Sequence, residues 1–165
     1  KDETDLNKIV LEEISQLRDL AGLRDQTINY KPPKSFPIVM VDDNKTRQVM
    51  MNFIDNAIFY TPKSGKIDIS LEQTDKEIVF KVTDTGIGVP KNVQHRLFTK
   101  FFRAENARNA RPDGTGLGLF MGQKIIDSQG GKMIFHSVEG QGSTFGFRFP
   151  SKKIVKEQSA EKATS

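Results

Sequence analysis

The sequence has 165 residues, a hydrophobic share of 36% and a formal net charge of +4. This length suits one domain, and the hydrophobic share is large enough to fill one core. Cysteine is absent, which excludes disulfides and cysteine-ligated metals. The sequence shows no basic stripe of the kind that binds nucleic acid and no apolar run long enough to cross a bilayer. We therefore expect a cytoplasmic segment that does not bind nucleic acid.

The first third of the chain predicts two helices with short strands between them. Apolar residues spaced three and four apart predict an amphipathic helix over residues 7–24, and strands are favoured at 27–31 and 38–41. A second helix is predicted over 45–60, with Asn52 and Asn56 beside its apolar face. Their spacing of four stacks the two carboxamides on one side of the helix, where they can reach one ligand. A solvated helix edge is the alternative.

Alternating apolar residues next predict two antiparallel strands, 66–73 and 77–84. The second strand ends in Asp84, which Gly86 and Gly88 follow. An acid at a strand end beside glycines lets a ligand lie against the backbone, and simple turn chemistry is the alternative.

The following region predicts a short helix over 91–98 and then a polar stretch, 104–113, without an apolar period. We interpret this stretch as a mobile loop, and Arg103, Arg108 and Arg111 as candidate phosphate contacts or ordinary surface arginines. Three alternate glycines, 114, 116 and 118, then lead into an apolar helical pattern that ends at residues 130–131. Such a helix start exposes backbone N–H groups to an anion, although a tight turn has the same pattern.

A second hairpin closes the domain, with strands predicted at 132–138 and 144–149. Phe145, Phe147 and Phe149 alternate along its second strand, which indicates core packing rather than a base-stacking surface. From residue 151 the chain is polar and poor in apolar residues. We predict one domain over residues 1–150 and a disordered tail over 151–165.

Four motifs in this order resemble the asparagine, first glycine, phenylalanine and second glycine boxes of sensor histidine kinases. They are Asn52-x-x-x-Asn56-Ala57 with Tyr60-Thr61-Pro62, Asp84-Thr-Gly-Ile-Gly88, Leu97-Phe98-x-x-Phe101 and Gly114-Thr-Gly-Leu-Gly-Leu119. The resemblance covers about residues 4–150. Four boxes in one order with compatible spacing are far more specific than any single box.

The resemblance implies an α/β fold of the α+β sandwich type, shared with DNA gyrase and the mismatch-repair ATPases. A mixed, mostly antiparallel sheet of about five strands would be covered on one face by about three helices, with a mobile ATP lid (the Bergerat-type fold). Asp84 would accept a hydrogen bond from the adenine amino group, and Thr144 would assist through water. Asn56 and Asn52 would bind Mg²⁺, and together with Arg103 they are the implied catalytic residues. The residues implied to bind ATP are Asn56, Tyr60, Asp84, Gly86, Gly88, Phe101, Gly114, Thr115, Gly116, Leu117, Gly118, Leu119 and Thr144.

The implied function is transfer of the γ-phosphoryl group of Mg-ATP to a histidine on a dimerisation helix outside this chain, in two-component signalling. The only histidines, His95 and His136, lack the sequence context of the phosphorylated helix. The chain alone is therefore not expected to phosphorylate itself. A response regulator is the implied downstream partner. The isolated domain is expected to be monomeric and its parent a homodimer, and anchoring of the parent in the inner or plasma membrane is compatible with the resemblance.

One departure from the family pattern is Phe59, which stands where a basic residue usually reaches the phosphates. A phenyl ring cannot replace that charge. Phe59 therefore leaves open a degenerate domain that binds nucleotide only as a regulatory module. A second alternative is a serine kinase of the anti-sigma-factor type on the same fold, which a phosphorylatable serine on a partner would favour.

Overall fold

The structure is a computed structural model that describes residues 1–100, 102–110 and 118–155. The side chains of residues 108–110 are not described. The predictions for Phe101, Arg108, Arg111, Gly114, Thr115, Gly116 and Leu117 therefore lie outside what it describes.

The helices of the described residues are α1 (Leu6–Leu23), α2 (Asp43–Tyr60), α3 (Glu105–Ala110) and α4 (Gly118–Ser128). Single 3₁₀ turns span Lys91–Arg96 and Ser151–Lys153. The first two helices begin within two residues of the predicted positions, after aspartate caps. Asp5 and Asp42 each accept a hydrogen bond of 3.0 Å from the backbone three residues on, which satisfies an amide left unpaired by the helix. Among the described helices, none combines the length and apolar character needed to cross a membrane.

The strands are β1 (Asp2–Thr4), β2 (Thr27–Tyr30), β3 (Val39–Val41), β4 (Lys66–Gln73), β5 (Glu77–Asp84), β6 (Lys132–Val138) and β7 (Gly142–Pro150). The main sheet has the order β2-β4-β5-β7-β6, in which only the β2–β4 pair is parallel. The sequence did not predict β1, which pairs with β3 in a separate two-stranded sheet. The mixed, mostly antiparallel five-stranded sheet is confirmed.

The core lies between one face of the main sheet and the three longer helices. Ile9 of α1, Ile54 of α2 and Ile126 of α4 belong to one buried cluster with Phe80 and Phe147 of the sheet. The opposite sheet face carries many polar residues, of which Asp68, Thr83 and Arg148 are exposed. The single-sided helical cover is therefore confirmed, and it follows from the alternation of apolar and polar residues along β4 and β5.

Two predictions for irregular segments are wrong. Residues 105–110 form α3 instead of a loop, and Ala104 and Ala107 pack with Val89 and Leu97 in a second apolar cluster. A six-residue helix is too short to show an apolar period, which explains the error. The predicted disordered tail is also wrong for residues 151–155, because Ile154 pairs with Val39 and packs against the main core.

Helices α1 and α2 enclose a pair of carboxyl groups. Glu13 is buried on α1, and its side chain shares a hydrogen bond with Asp55 of α2. Burial, together with the hydrogen bond and the negative charge of Asp55, raises the pKa of Glu13 to about 8. Glu13 is therefore protonated near neutral pH, and the pair shares its proton across the helix interface.

We expect Glu13→Gln to stabilise the domain increasingly as pH rises from about 4.5 to about 8, with the full gain in alkaline solution. The folded Glu13 carboxyl binds its proton more tightly than the unfolded one, so wild-type stability falls as pH rises from about 4.5 through about 8. A glutamine keeps a hydrogen-bond donor and has no proton to lose. The midpoint of thermal unfolding should be higher for the variant than for the wild type near pH 9, and the two midpoints should be nearly equal near pH 5. Glu72→Gln, at an exposed position of β4, is the matched control; a gain that does not change with pH would contradict the prediction.

Candidate functional site

A cavity of about 310 Å³ lies between α2, α4, the ends of β5 and β7 and the segment around α3. The predicted site residues that line it are Asn52, Asn56, Tyr60, Asp84, Gly88, Arg103, Gly118 and Leu119. Most of the remaining lining residues are apolar, namely Ala57, Ile87, Val89, Leu97, Phe102, Ala104, Ala107 and Phe145. An apolar cavity with few polar groups is typical of a small-molecule site.

Asp84 is the acidic residue of this lining, and it is only 8% exposed. Its Oδ1 accepts hydrogen bonds from the backbone N–H of Gly86 at 2.8 Å and of Ser143 at 3.2 Å. Burial raises the pKa of Asp84 to about 6, although both backbone bonds act to lower it. The group is therefore ionised at neutral pH and presents a hydrogen-bond acceptor to the cavity.

The two glycines after Asp84 have different roles. Gly86 does not line the cavity, and its N–H supports the Asp84 carboxylate instead. Gly88 does line the cavity, and its φ of +66° lies in the left-handed region. A Cβ on Gly88 would come within 2.2 Å of the Val138 carbonyl oxygen. The sequence predicted glycines that admit a ligand, and the structure shows that Gly88 also admits the neighbouring backbone.

Asn52 and Asn56 line the cavity from α2, beside the start of α4. A Cβ on Gly118 would lie 2.7 Å from Nδ2 of Asn52, so only glycine allows α4 to begin so close to that carboxamide. Nδ2 of Asn52 is buried and has no hydrogen-bond partner among the described residues. Buried donors normally have an acceptor, so this amide is suited to a ligand that supplies one.

Arg103 brings a positive charge to the cavity from the segment before α3. Its Nη2 donates to the Tyr60 hydroxyl at 3.2 Å and to the Ala107 carbonyl at 3.0 Å. The guanidinium therefore connects the end of α2 with α3. Phe59 is not among the lining residues and is 37% exposed.

Thr144 does not reach the cavity. It pairs with Thr83 across β5 and β7, and the two hydroxyls lie 2.9 Å apart on the polar sheet face. Because side chains alternate along a strand, its neighbours Ser143 and Phe145 line the cavity instead. The predicted assignment of Thr144 is thus corrected to Ser143. The alternation itself gave the signal, since Phe145 was already assigned to the inner face.

The sequence also gave no indication that Gln129 supports the site. Gln129 is 6% exposed, and its Oε1 accepts a hydrogen bond of 2.6 Å from the backbone of Asp42. Its Nε2 donates to Thr46 Oγ1 at 3.1 Å and to the Ile125 carbonyl at 3.3 Å. These bonds hold the C-terminal end of α4 against the first turn of α2. At its other end, α4 begins with Gly118, which lies beside Asn52 of α2.

The fold and this cavity define the class of the protein as an ATP-binding domain of the histidine kinase type. The catalytic domain of the histidine kinase ThkA superposes with a TM-score of 0.72 at 27% identity, covering 90% of this chain and 96% of that one. Full-length ShkA in complex with AMPPNP gives a TM-score of 0.72 at 25% identity, over 89% of this chain and 30% of that one. The complex of ThkA with the response regulator protein TrrA gives a TM-score of 0.72 at 25% identity, over 90% of this chain and 41% of that one.

Sequence relatives agree with this class. The adaptive-response sensory kinase SasA of Nostoc sp. is 34% identical over 148 residues, which are 89% of this chain and 36% of SasA. The sensor histidine kinase WalK of Bacillus subtilis is 36% identical over 117 residues, 70% of this chain and 19% of WalK. This chain thus spans about a third or less of these relatives. The family described as "Histidine kinase-, DNA gyrase B-, and HSP90-like ATPase" matches residues 41–153, and the chain belongs to that family.

We expect Asp84→Asn to weaken ADP binding by roughly tenfold or more, because a charge-assisted hydrogen bond is lost and the new amide can turn a donor towards the base. Calorimetric titration of the full chain near neutral pH measures the change. An unchanged affinity would remove Asp84 from the binding site.

The same substitution should stabilise the ligand-free domain near neutral pH, by up to about 3 kcal/mol. The folded Asp84 carboxyl holds its proton more tightly than the unfolded one, so its ionisation destabilises the fold as pH rises through about 6. Denaturant unfolding near pH 7.5 and near pH 4 tests this, with the advantage of the variant disappearing at the lower pH. A less stable variant at neutral pH would show that the loss of affinity comes from a damaged fold.

Gln129→Leu is expected to weaken Mg-ATP binding several-fold more than adenosine binding. The substitution frees the C-terminal end of α4, and the start of that helix lies beside Asn52, whereas Asp84 is held by a different element, β5. Titrations with both ligands measure the difference, and Gln123→Leu on the same helix is the control. Equal losses for the two ligands would mean that Gln129 supports the whole cavity and not one end of it.

Proposed function

We propose that this chain binds Mg-ATP in the cavity and transfers its γ-phosphoryl group to a histidine on dimerisation helices outside the chain, as the catalytic module of a two-component sensor kinase. One observation carries the proposal. A single cavity combines a buried, ionised carboxylate at the end of β5 with two stacked carboxamides on α2. The first suits a purine base with an amino group, and the second suits a metal-bound phosphate chain.

Base recognition rests on Asp84. The carboxylate is held by two backbone amides through Oδ1, which leaves Oδ2 to accept from a ligand. The adenine amino group is a donor, whereas guanine carries a carbonyl oxygen at the same ring position. An acceptor facing that oxygen would be left unpaired and desolvated, which favours adenine. Ser143, rather than Thr144, is the hydroxyl that assists from the lining.

The donor set fits Mg²⁺ bound together with phosphates. Among the described residues, no group of three acidic or histidine side chains is placed to hold a metal ion on its own. Mg²⁺ commonly takes few protein ligands and completes its shell with phosphate oxygens and water. Amide oxygens of Asn56 and Asn52 would hold it here, and the buried Nδ2 of Asn52 would donate to a phosphate. Bound Mg²⁺ would supply neutralisation of the phosphate charge, and Arg103 adds a cation from the segment before α3.

The lining also favours transfer over hydrolysis. Activation of water needs a group that takes a proton at neutral pH, and a carboxamide cannot do so. Asn52 occupies the position one helical turn before Asn56, and the acid of the described lining, Asp84, belongs to the base end. A histidine acceptor brings its own nucleophilic nitrogen and needs no such base.

Partners follow from the same proposal. The acceptor helices and a response regulator are the protein partners, and the complex of ThkA with TrrA supports the second of these. Neither His95 in the 3₁₀ turn nor His136 on β6 lines the cavity, so we do not propose either as the acceptor. We assign the domain to the cytoplasmic side of its parent.

Incubation with γ-labelled ATP tests the function. The chain alone should bind Mg-ATP and show neither self-labelling nor appreciable phosphate release. Addition of the histidine-containing helices of the full-length protein, as a separate polypeptide, should yield label that is lost in acid, because phosphohistidine is acid-labile.

Three other outcomes would contradict the histidine kinase proposal. Acid-stable label would favour the serine kinase, and brisk phosphate release by the chain alone would favour an ATPase. Binding without transfer to any added acceptor would favour a regulatory module that only binds nucleotide.

A further inference from the structure

Ser137 lies on β6 behind the base end of the cavity and is not part of its lining. Ser137 is 8% exposed, and its hydroxyl contacts three groups. The Val89 N–H donates to it at 2.8 Å, the Gly142 carbonyl lies 3.0 Å away and the Ser143 hydroxyl 2.8 Å away. Ser143 is a lining residue, and its backbone N–H supports Asp84. Ser137 thus stands one contact behind the polar groups that face a base.

The protons of the two hydroxyls can be assigned by counting. A serine hydroxyl has one proton and two lone pairs, and one lone pair of Ser137 accepts the Val89 N–H. If Ser137 donates to the Gly142 carbonyl, its second lone pair accepts the Ser143 proton, and all three contacts are hydrogen bonds. If Ser137 donates to Ser143 instead, the Gly142 contact has no proton. Buried polar groups are paired wherever possible, so the first arrangement is favoured.

We propose that Ser137 is a positioning residue for base selection. By accepting the Ser143 proton it turns the Ser143 oxygen towards the cavity as an acceptor, beside the Asp84 carboxylate. The two side chains at this end then present acceptors only. They favour a purine with a 6-amino group, which is a donor, over one with a 6-oxo group, which is an acceptor. This inference rests on the proposed ATP-binding function and names the chemistry that selects the base.

A backbone anchor makes the inference testable without loss of the fold. Gln94 Nε2 donates to the carbonyls of both Val89 and Ser137, at 3.0 Å each. These bonds do not use the Ser137 side chain. Removal of the hydroxyl therefore leaves β6 attached to the loop after β5, while it releases the Ser143 proton. The freed hydroxyl can then rotate and donate into the cavity.

The experiment is a calorimetric titration of the full chain with ADP and with IDP, which carries the 6-oxo base. Wild-type protein should prefer ADP. Ser137→Ala should lower the ratio of ADP to IDP affinity by about tenfold, since the Ser143 acceptor loses its fixed orientation towards ADP and IDP gains a donor. Ser137→Thr keeps a hydroxyl and should keep the ratio. Ser70→Ala, on the polar face of β4, is the control and should also leave the ratio unchanged.

Ser143→Ala gives a second measurement that does not depend on Ser137 folding correctly. It removes the acceptor without adding a donor, so ADP affinity should fall while IDP affinity stays close to the wild-type value. Parallel losses of ADP and IDP affinity in Ser137→Ala, or an unchanged ratio in Ser143→Ala, would overturn the inference. Wild-type protein that binds ADP and IDP equally would overturn it too and leave ATP binding intact. Wild-type protein that binds neither would instead contradict the proposed function.

Discussion

Burial of the Asp84 carboxylate is the constraint on which the base end of the cavity depends. An ionised carboxylate in an apolar cavity is unfavourable, as its raised pKa shows. The N–H groups of Gly86 and Ser143 offset part of this cost, but only while the loop after β5 and the start of β7 stay in register. The contacts of Ser137, Gln94 and Gly140 with that loop maintain the register. A hydrogen bond from a ligand would offset the unfavourable free energy of the buried charge. We therefore expect the burial of Asp84 to contribute to the affinity and selectivity of binding.

The part of the cavity at Asn52 and Gly118, where we propose that the phosphates bind, depends on the close packing of α4 on α2. Their contacts run in antiparallel order, with Gly118 at Asn52, Gly122 beside Val49 and Gln129 at Thr46. Two glycines four residues apart keep the helices close, and the buried Gln129 amide, seven residues further on, fixes their register. Base end and phosphate end are thus supported by separate parts of the fold, the β6–β7 hairpin and the helix pair. Changes at one end can leave the other intact.

Local patterns in the sequence were sufficient for the regular elements. The bounds of β4 and β5 agree with the prediction, because one buried face produces a strict alternation, and the boxes identified most of the lining. The errors concern features that local pattern does not encode. Helix α3 is too short for a period, and Ser137 and Gln129 act through partners distant in sequence. Thr144 was assigned to the wrong face of β7. Because residues two apart on a strand share a face, the inward position of Phe145 already indicated that Ser143 faces the cavity.

Helix α3 and the segment before it contact both the loop after β5 and the end of α2. Asn106 donates from α3 to the Gly88 carbonyl at 2.8 Å, next to the base end, while Arg103 reaches the Tyr60 hydroxyl at the end of α2. Ala104 and Ala107 add apolar contact with Val89 and Leu97. Helix α3 therefore fixes the loop after β5 to the end of α2, while the packing of α4 on α2 is held separately by Gln129.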